Sequence, residues 1–437
     1  MMKHEFEKYD EYKDSGVEWI EKLPVNWNVK RLKEVLVEVV YGTSEKTKES
    51  GKYEVLGMGD IYEGKVIFPK KRFIDYVQDN LILKKGDLLY NRTNSIALVG
   101  KVGLIEEELE NVTFASYLIR LRVKNNQYNK YFWYFLNSQY FINYSRANAI
   151  QTANQANLSS SKLNQFKIID INFNLQKTIA NYLDTKTAQI DQKIKLLTKK
   201  SAKYSELKQS LISETVTCGL DKTVVMKDSG IEWIGEIPEH WKLEHIRKVL
   251  ENCLDKNIGN IQSEYLSLVA GVGVIPYAEK GNVGNKRPED IEKCKVVCPG
   301  DFVLNSMNFG IGSFGISRYK GVCSSVYIVM RPRNIDSGEY LYRIFQVKPF
   351  QTYMSSFGKG IMEIRMAIKW SDLKNVYIPY PKIEEQRAIA NYLDTKTTQI
   401  DRIVETINTE IEKLKELRKT LINDVVTGKI KVTTEGE

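Results

Sequence analysis

The sequence predicts an α/β (α+β) chain that carries one plan twice, a mainly β domain followed by a long helix, in an internal pseudo-twofold repeat. Three observations support this fold class. The stretch IANYLDTKTAQID at 179–191 returns at 389–401 with a single substitution. The stretch KDSGVEWIEKLPVNWNVKRLKEVL at 13–36 returns in related form at 227–250. Apolar residues seven positions apart follow both copies of the first stretch, which is typical of long helices that pack on each other.

The two opening segments, 13–36 and 227–250, each contain a pair of tryptophans. We expect these tryptophans to anchor the segments to a domain core, in preference to the alternative that they stack on nucleic-acid bases. The matched residues are Trp19 with Trp233 and Trp27 with Trp241. Residues 30–40 have apolar side chains at helical spacing, which predicts a helix with a counterpart that begins at Ile246.

Short apolar and β-branched runs follow each opening segment and alternate with Gly-, Asn- and Lys-rich connections, a pattern typical of β structure. In the first copy these runs are YEVLGM at 53–58, DLLYN at 87–91, LVGKVGLI at 98–105 and YLIRLRV at 117–123. In the second copy YLSLVAG, DFVLNS, FGISRY and VYIVMRP take the same places. A segment with aromatic residues at helical spacing then follows, from 130 and from 339.

The seven-residue stripes predict two helices of about forty residues, each roughly 60 Å long, that pack on each other. The predicted packing residues are Leu183, Ile190, Leu197, Tyr204, Leu211, Leu393, Ile400, Ile407, Leu414 and Leu421. Gly219 and Gly428 are predicted helix stops. The predicted boundaries are a first domain at 1–175, a first long helix at 176–220, a second domain at 221–385, a second long helix at 386–430 and a C-terminal tail at 431–437.

The composition is that of a folded chain, with 42% hydrophobic and 11% aromatic residues among 437. The 64 Lys and Arg exceed the 55 Asp and Glu, and the formal charge of +9 favours nucleic acid over a membrane as the partner. The charged start has no apolar signal-peptide core, and no run approaches the roughly 18 apolar residues that span a bilayer. A cytoplasmic location is therefore expected.

Catalytic and metal-binding patterns are weak. The five cysteines are an odd number and do not predict a disulfide framework. Cys294 and Cys298 are four apart, but only His4, His240 and His245 could add imidazole ligands, so no metal site is predicted. Neither a P-loop nor a dinucleotide-type glycine turn is present. Three histidines give no convincing Ser/His/Asp set, and a paired-carboxylate nuclease site is left as a minor alternative.

The loops between the predicted strands carry Lys and Arg together with Asn, Gln and Ser in both copies. Arg can bind guanine, and Asn or Gln can bind adenine, by two hydrogen bonds in the major groove, whereas Lys mainly binds phosphate. The predicted DNA-binding residues are Lys71, Arg72, Arg92, Asn94, Arg146, Gln151, Lys286, Arg287, Asn305, Asn308, Arg318, Lys359 and Arg365. Each loop taken singly could be an ordinary solvated loop. Dissimilar loops at equivalent places of a twofold repeat are what a reader of two different DNA half-sites needs.

Four motifs make the chain resemble the specificity subunit of type I restriction-modification systems over nearly its whole length. They are the two helix openings IANYLDTKT(A/T)QID, EEQRAIANYLD at 384–394, the two KDSG(V/I)EWI segments, and RTNSIALVGKVG at 92–103. The resemblance implies two target-recognition domains at either end of an antiparallel pair of conserved helices, each reading one half of a bipartite site. One departure is FNLQKTIANYLD in the first copy, which lacks acidic residues before Gln176.

By the same resemblance the chain has no enzymatic activity of its own. Its expected partners are bipartite double-stranded DNA and two modification subunits, which use S-adenosylmethionine to methylate adenine. Restriction subunits that hydrolyse ATP with Mg²⁺ and cut DNA are further expected partners. No cofactor is expected on this chain, and the helix pair is expected to fix the spacer between the half-sites.

Two other functions stay open from the sequence alone. The chain could be a self-sufficient DNA methyltransferase or nuclease with a cryptic site, which the missing cofactor motifs disfavour. It could instead be a coiled-coil scaffold for proteins only. A scaffold would show none of the steep loss of DNA affinity with salt that phosphate contacts cause.

Overall fold

The computed structural model describes residues 7–62, 64–67, 71–96, 98–152, 155–283, 286–307, 309, 312–356 and 368–432. The chain divides into two compact units. Unit 1 contains residues 1–197 and 409–437, and unit 2 contains residues 198–408. Each unit therefore takes part of its structure from both long helices.

Unit 1 holds the first set of strands and short helices. Its helices are α1 (Leu32–Val35), α2 (Asn129–Leu136), α3 (Gln139–Asn148) and α4 (Ser160–Asn164), and α5 (Phe173–Cys218) begins in it. Its strands are β1 (Tyr12–Asp14), β2 (Lys22–Pro24), β3 (Asn28–Arg31), β4 (Leu36–Tyr41), β5 (Tyr53–Leu56), β6 (Ile61–Tyr62), β7 (Lys65–Val66), β8 (Phe73–Ile74), β9 (Leu88–Asn91), β10 (Thr93–Asn94), β11 (Val102–Leu104), β12 (Val112–Phe114), β13 (Leu118–Val123), β14 (Ile150–Gln151), β15 (Ala156–Asn157) and β16 (Lys167–Asp170).

A sheet with the order β4-β13-β9-β11-β7-β6 forms the main layer of unit 1. Its first four strands are antiparallel neighbours, and β11 pairs with β7 in parallel. Smaller sheets have the orders β12-β5-β8, β10-β15-β14, β1-β2 and β16-β3. The predicted mainly β character of this part of the chain is confirmed.

Unit 2 repeats the plan with fewer described strands. Its helices are α6 (Ile246–Val249), α7 (Gly338–Gln346), α8 (Lys348–Ser356) and α9 (Trp370–Leu373), and α10 (Ile383–Val426) begins in it. Its strands are β17 (Met226–Asp228), β18 (Glu236–Pro238), β19 (Lys242–His245), β20 (Leu250–Cys253), β21 (Leu266–Val269), β22 (Gly273–Pro276), β23 (Lys295–Val297), β24 (Phe302–Asn305), β25 (Phe314–Ile316), β26 (Gly321–Cys323), β27 (Tyr327–Pro332) and β28 (Tyr377–Tyr380).

The main sheet of unit 2 has the order β20-β27-β24-β25, which is the order of the first four strands of the unit 1 sheet. The two-stranded sheets β17-β18 and β19-β28 likewise repeat β1-β2 and the pairing of β16 with β3. The internal repeat predicted from the sequence is therefore a repeat of topology, and the predicted fold class is confirmed.

The two long helices have 46 residues in α5 and 44 in α10, close to the predicted length. In unit 2, Lys208 of α5 pairs with Asp401 of α10 at 2.6 Å. In unit 1, Arg418 of α10 pairs with Asp191 of α5 at 2.9 Å. A later α5 residue thus meets an earlier α10 residue, so the helices run antiparallel.

The predicted packing residues of the helices are buried to different degrees. Fully or nearly buried are Leu183, Leu393, Ile400, Ile407 and Leu421. Half-buried are Ile190, Leu197, Tyr204, Leu211 and Leu414. The two completely buried positions, Leu183 and Leu393, belong to the cores of unit 1 and unit 2.

Each unit has one principal hydrophobic core that includes ends of both long helices. In unit 1, Leu183 of α5 and Val425 of α10 belong to the same cluster as Tyr131 of α2. In unit 2, Ile212 of α5 and Leu393 of α10 join Tyr340 of α7. The aromatic-rich helical segments are therefore core elements, as predicted.

The helices end next to glycines in the left-handed conformation. Gly219 follows α5 with φ of 75°, and Gly428 follows α10 with φ of 76°. Such angles favour glycine because a Cβ atom is disfavoured there. A Cβ at Gly428 would also lie 2.6 Å from the ring of Pro24. Both predicted stops are confirmed.

The predicted helix at 30–40 is wrong for most of its length. Only Leu32–Val35 is helical, and Leu36–Tyr41 forms β4, which pairs with β13. The β-branched residues of this segment gain a strand partner that is distant in sequence, and that pairing outweighs their helical spacing. In unit 2, the short helix Ile246–Val249 is likewise followed by a strand.

The domain boundaries proposed from the sequence remain a prediction, since the compact units cut both long helices near their middles. Within the described residues, no helix combines the length and the apolar character needed to cross a membrane.

Candidate nucleic-acid interface

A buried aspartate supports the loop-bearing strands in both units. Asp87 precedes β9 and accepts hydrogen bonds from Nε and Nη2 of Arg122 at 2.7 and 2.9 Å. Asp301 precedes β24 and accepts the same two bonds from Arg331 at 2.7 and 2.9 Å. These contacts raise the pKa of both guanidinium groups. Two-point pairing fixes orientation as well as distance, so both units hold their central strands by the same device.

The strands β9 and β24 end at matched asparagines that are themselves buried. Asn91 donates from Nδ2 to the carbonyl of Met58 at 2.9 Å. Asn305, a predicted DNA-binding residue, is 8% exposed and accepts at Oδ1 from the backbone of Met307 at 3.2 Å. The structure thus places Asn305 within the turn that begins the candidate loop of unit 2.

Arg92, the next residue after β9, is held on three sides. Its Nη2 donates to Oδ1 of Asn157 at 2.8 Å, and its Nη1 lies 3.4 Å from the carbonyl of Ser116. Its guanidinium lies over the ring of Tyr41 at 4.8 Å from the centroid. A cation fixed in this way keeps its charge near the surface while its geometry is constrained. Arg92 is therefore suited to position the loop and to attract phosphate.

Asn94 and Gln151 are brought together by the small sheet β10-β15-β14. Asn94 is paired with Ala156, and Gln151 is paired with the same Ala156 from the other side. Directly paired residues project to one face of a sheet. Asn94 and Gln151 thus lie on one face, about 10 Å apart across two strand spacings, with only the small side chain of Ala156 between them.

The remaining predicted residues of unit 1 lie around other loops. Lys71 is exposed, and Arg72 forms an ion pair with the buried Asp60. Arg146 is half-buried in the last turn of α3, shortly before Ile150 of β14. Of the unit 1 predictions, Asn94 and Gln151 share one sheet, and Arg92 contacts Asn157 of that sheet. Arg72 is engaged within the unit.

In unit 2, Lys286, Arg287 and Arg318 are exposed. Three predicted residues, Asn308, Lys359 and Arg365, lie outside the described residues. The residues that flank them are described: Met307 and Phe309 around Asn308, and Ser356 and Ile368 around the segment with Lys359 and Arg365.

One repeated hydrogen bond shows which part of unit 2 corresponds to the small sheet of unit 1. The backbone N–H of Leu158 donates to the carbonyl of Arg92 at 3.0 Å. The N–H of Ile368 donates to the carbonyl of Ser306 at 3.0 Å. The segments that adjoin these two hydrogen-bonded pairs in the chain are the candidate recognition loops. Their sequences are unrelated between the units.

Three residues of this surface were missed by the sequence reasoning. Tyr41 and Asn157 hold Arg92, and Ala156 separates Asn94 from Gln151. Asn157 lies six residues after the predicted residue Gln151, so the polar composition of this loop could have indicated it. Tyr41 could not have been found, because its contact with Arg92 joins residues that are distant in sequence.

The described residues contain no group of three or more His, Cys, Asp or Glu placed to hold a metal ion. All five cysteines are free thiols. Burial raises the pKa of Cys323 to about 12 and that of Cys253 to about 11. A thiol with a raised pKa is a poor nucleophile and a poor metal ligand at neutral pH.

Comparisons with known proteins agree with this arrangement. The family model of the type I restriction modification DNA specificity domain matches residues 24–201 and 255–413. The chain is 26% identical over 428 residues to a Methanocaldococcus jannaschii protein named as the MjaX type I restriction enzyme specificity subunit, covering 95% of this chain and 96% of the relative. It is 22% identical over 327 residues to the EcoBI type I restriction enzyme specificity subunit of Escherichia coli, covering 71% and 68% of the two chains.

Two solved structures share the fold. A chain from a study of assembly and conformational transition of the type I restriction-modification system superposes with a TM-score of 0.70, at 17% identity, over 92% of this chain and 98% of that chain. The HsdS subunit from Thermoanaerobacter tengcongensis superposes with a TM-score of 0.55, at 18% identity, over 93% and 98%.

Proposed function

Because the chain belongs to the type I restriction modification DNA specificity family, we propose that each of its two units reads one half of a bipartite DNA site. The chain is a specificity component without catalytic chemistry of its own. Its long helices set the spacer between the half-sites and bind two copies of a modification subunit. The modification subunits bring S-adenosylmethionine and methylate adenine, and restriction subunits with ATP and Mg²⁺ complete the system.

The observation that carries this proposal is a common frame under different loops. Asp87 with Arg122 and Asp301 with Arg331 support the same strands with the same bond lengths. The loops that leave the matched bonds at Arg92 and Ser306 differ in sequence. A shared frame places two readers equivalently on DNA, and dissimilar loops give each reader its own base preference.

In unit 1 the small sheet offers two amide side chains for base reading. Asn94 and Gln151 project from one face, and amides of this kind can each pair with adenine through two hydrogen bonds. The guanidinium of Arg92 lies beside them. The amides are suited to base edges, and the nearby cation is suited to the phosphate backbone.

The proposed docking of two modification subunits is supported by repeated residues on the surfaces of the helices. Packing accounts for identity at buried positions such as Leu183 and Leu393, but not at exposed ones. The positions exposed in both copies and identical between them include Asn181 with Asn391, Thr185 with Thr395 and Gln189 with Gln399. Beyond 191 and 401 the exposed residues diverge, as at Lys195 and Glu405.

A cation lies over a tyrosine on the same surface in both copies. Lys186 is 5.7 Å from the ring centroid of Tyr182, and Lys396 is 5.9 Å from that of Tyr392. Each pair is one turn apart on its helix, which brings the side chains together. Two copies of one partner need two equal surfaces, and this repeated exposed pattern provides them.

The proposal is tested by recovering the recognised DNA. The full-length chain, co-purified with its modification subunits, is incubated with random duplex DNA and S-adenosylmethionine, and the methylated adenines are mapped by sequencing. The expected result is one bipartite motif with a fixed spacer. A single uninterrupted motif, or methylation by the chain without partners, would contradict it. A DNA affinity that does not fall steeply as the salt concentration rises would instead favour a protein scaffold.

A further inference from the structure

Unit 1 contains a cavity of about 520 Å³ beside its opening segment, away from the small sheet that carries Asn94 and Gln151. Tyr9, Pro24, Trp27 and Leu175 contribute aromatic and apolar lining, and Asp10, Glu11, Asn26 and Asn172 contribute polar lining. Its volume falls within the range typical of small-ligand sites, about 300–1,000 Å³. Neither carboxylate forms an ion pair within the described part of the chain.

The cavity lies where the two units differ. Trp27 and Trp241 are matched residues that are 2% and 1% exposed. The indole N–H of Trp241 donates to Glu385 at 2.9 Å. Among the described residues, the N–H of Trp27 has no hydrogen-bond partner, and Trp27 lines the cavity.

Two substitutions between the copies explain the difference. Glu385 is replaced in unit 1 by Leu175, which occupies the matched position in the first helix opening. His240, whose ring lies 3.2 Å from Glu385, is replaced by Asn26. In unit 2 the imidazole and carboxylate thus close the position with polar contacts. In unit 1 the apolar Leu175 occupies the matched position and lines the cavity.

A missing hydrogen bond alone would not identify a site. The indole N–H of Trp233 also lacks a partner, but it is sealed within the described core of unit 2. Trp27 differs because its N–H is not among the sealed atoms and because the ring borders a cavity that Asp10 and Glu11 also line. The donor, the apolar walls and the two carboxylates together define the chemistry of the occupant.

We propose that this cavity binds a lysine or arginine side chain of a partner protein, with a peptide carbonyl of that partner accepting from the indole N–H of Trp27. The aliphatic stem fits between Pro24 and Leu175, and the cationic head meets Asp10, Glu11 and the aromatic faces. Because Glu385 and His240 occupy the matched position in unit 2, the partner binds once per chain, unlike a partner that recognises the repeated helix surfaces. The proposal does not depend on how either unit reads DNA.

The test uses the full-length chain labelled with ¹⁵N-tryptophan, which gives six indole signals for its six tryptophans. Trp27→Phe assigns the signal of Trp27. The probe is N-acetyl-arginine methylamide, and N-acetyl-norleucine methylamide is its uncharged control. The expected result is a saturable shift of the Trp27 signal, with a dissociation constant on the order of 1 mM for a ligand of this size, while the Trp241 signal stays in place.

The chain offers a matched closing variant. Asn26→His with Leu175→Glu installs the unit 2 residues in unit 1, and it should abolish the arginine-dependent shift while the Trp27 N–H signal remains. If both carboxylates bind the cation, Asp10→Asn with Glu11→Gln should raise the dissociation constant of the arginine probe at least about tenfold. An unmoved Trp27 signal, or an equal shift with the norleucine probe, would overturn the proposal. Because the readout needs no DNA, its failure is separate from failure of the proposed DNA reading.

Discussion

The hydroxyl of Tyr134 donates a hydrogen bond to Oδ1 of Asp184 at 2.7 Å. Lys130 also pairs with Asp184, at 2.9 Å. Asp184 belongs to the repeated helix opening, so these contacts tie α2 of unit 1 to the long helix. The matched Asp394 of unit 2 has a different environment, since its side chain is 76% exposed and lies 3.3 Å from Arg343.

Identical residues of the repeat should therefore differ in their effect on stability. Asp184→Ala removes an acceptor from the buried Tyr134 and should lower the free energy of unfolding by about 1–3 kcal/mol. Asp394→Ala removes one contact with the buried Arg343, whose guanidinium keeps its hydrogen bond to Gln346, and should cost less, about 1 kcal/mol. Urea unfolding followed by circular dichroism checks the difference. Equal losses would show that the two aspartates have equivalent surroundings.

Base reading in unit 1 should depend on the amides of the small sheet. Asn94→Ala and Gln151→Ala should each relax base choice at a position of one half-site, by about 1–3 kcal/mol or roughly 10- to 100-fold. The other half-site should be unchanged. Selection from random DNA with the partner subunits measures this. Arg92→Ala is a useful contrast, because loss of its contacts with Asn157 and Tyr41 should disturb the sheet itself.

Docking should follow the repeated surface one copy at a time. Thr185→Arg places a large cation on an exposed position of the first copy, and Thr395→Arg does the same in the second. Each single variant should bind one modification subunit instead of two, and the double variant should bind none. Mass photometry of the purified complex reads the stoichiometry. Lys195→Ala, at an exposed position that differs between the copies, serves as the control, and retention of two subunits by both single variants would refute the assignment.

The stability of unit 2 should fall at alkaline pH. Burial raises the pKa of Cys323 from 9.0 to about 12. Between these values the unfolded chain releases the proton and the folded chain keeps it, so stability is full below pH 9 and declines as pH rises toward 12. Urea midpoints at pH 8 and pH 10.5 should show a smaller decline in Cys323→Ala than in the wild-type chain. An identical pH dependence in both would contradict the role of this thiol.

The long helices could be predicted because each depends on a local pattern. The seven-residue stripe and the glycine stops Gly219 and Gly428 lie within continuous stretches of sequence, and the structure has the helices where that pattern placed them. The same pattern failed at residues 36–41, where pairing with β13 decides the conformation. Apolar spacing cannot reveal a strand partner that is far away in the chain.

The candidate site was predictable in composition but not in arrangement. Asn94 and Gln151 were singled out by residue type, yet only the pairing of both with Ala156 puts them on one face. Strands of two residues are too short to show alternation, so no sequence pattern predicts that sheet. The asymmetry at Trp27 was visible as the missing acidic residues before Gln176, but its consequence needed the contact between Trp241 and Glu385.

The central claim is that two readers are held at a spacing set by the helix pair. Inserting seven residues after Thr198 in α5 and seven after Asn408 in α10 keeps the seven-residue stripe and lengthens the pair by about 10 Å. Methylation mapping with the partner subunits should then return the same two half-sites with a gap longer by about three base pairs, at 3.4 Å per pair. An unchanged gap, or altered half-sites with the original gap, would contradict the account.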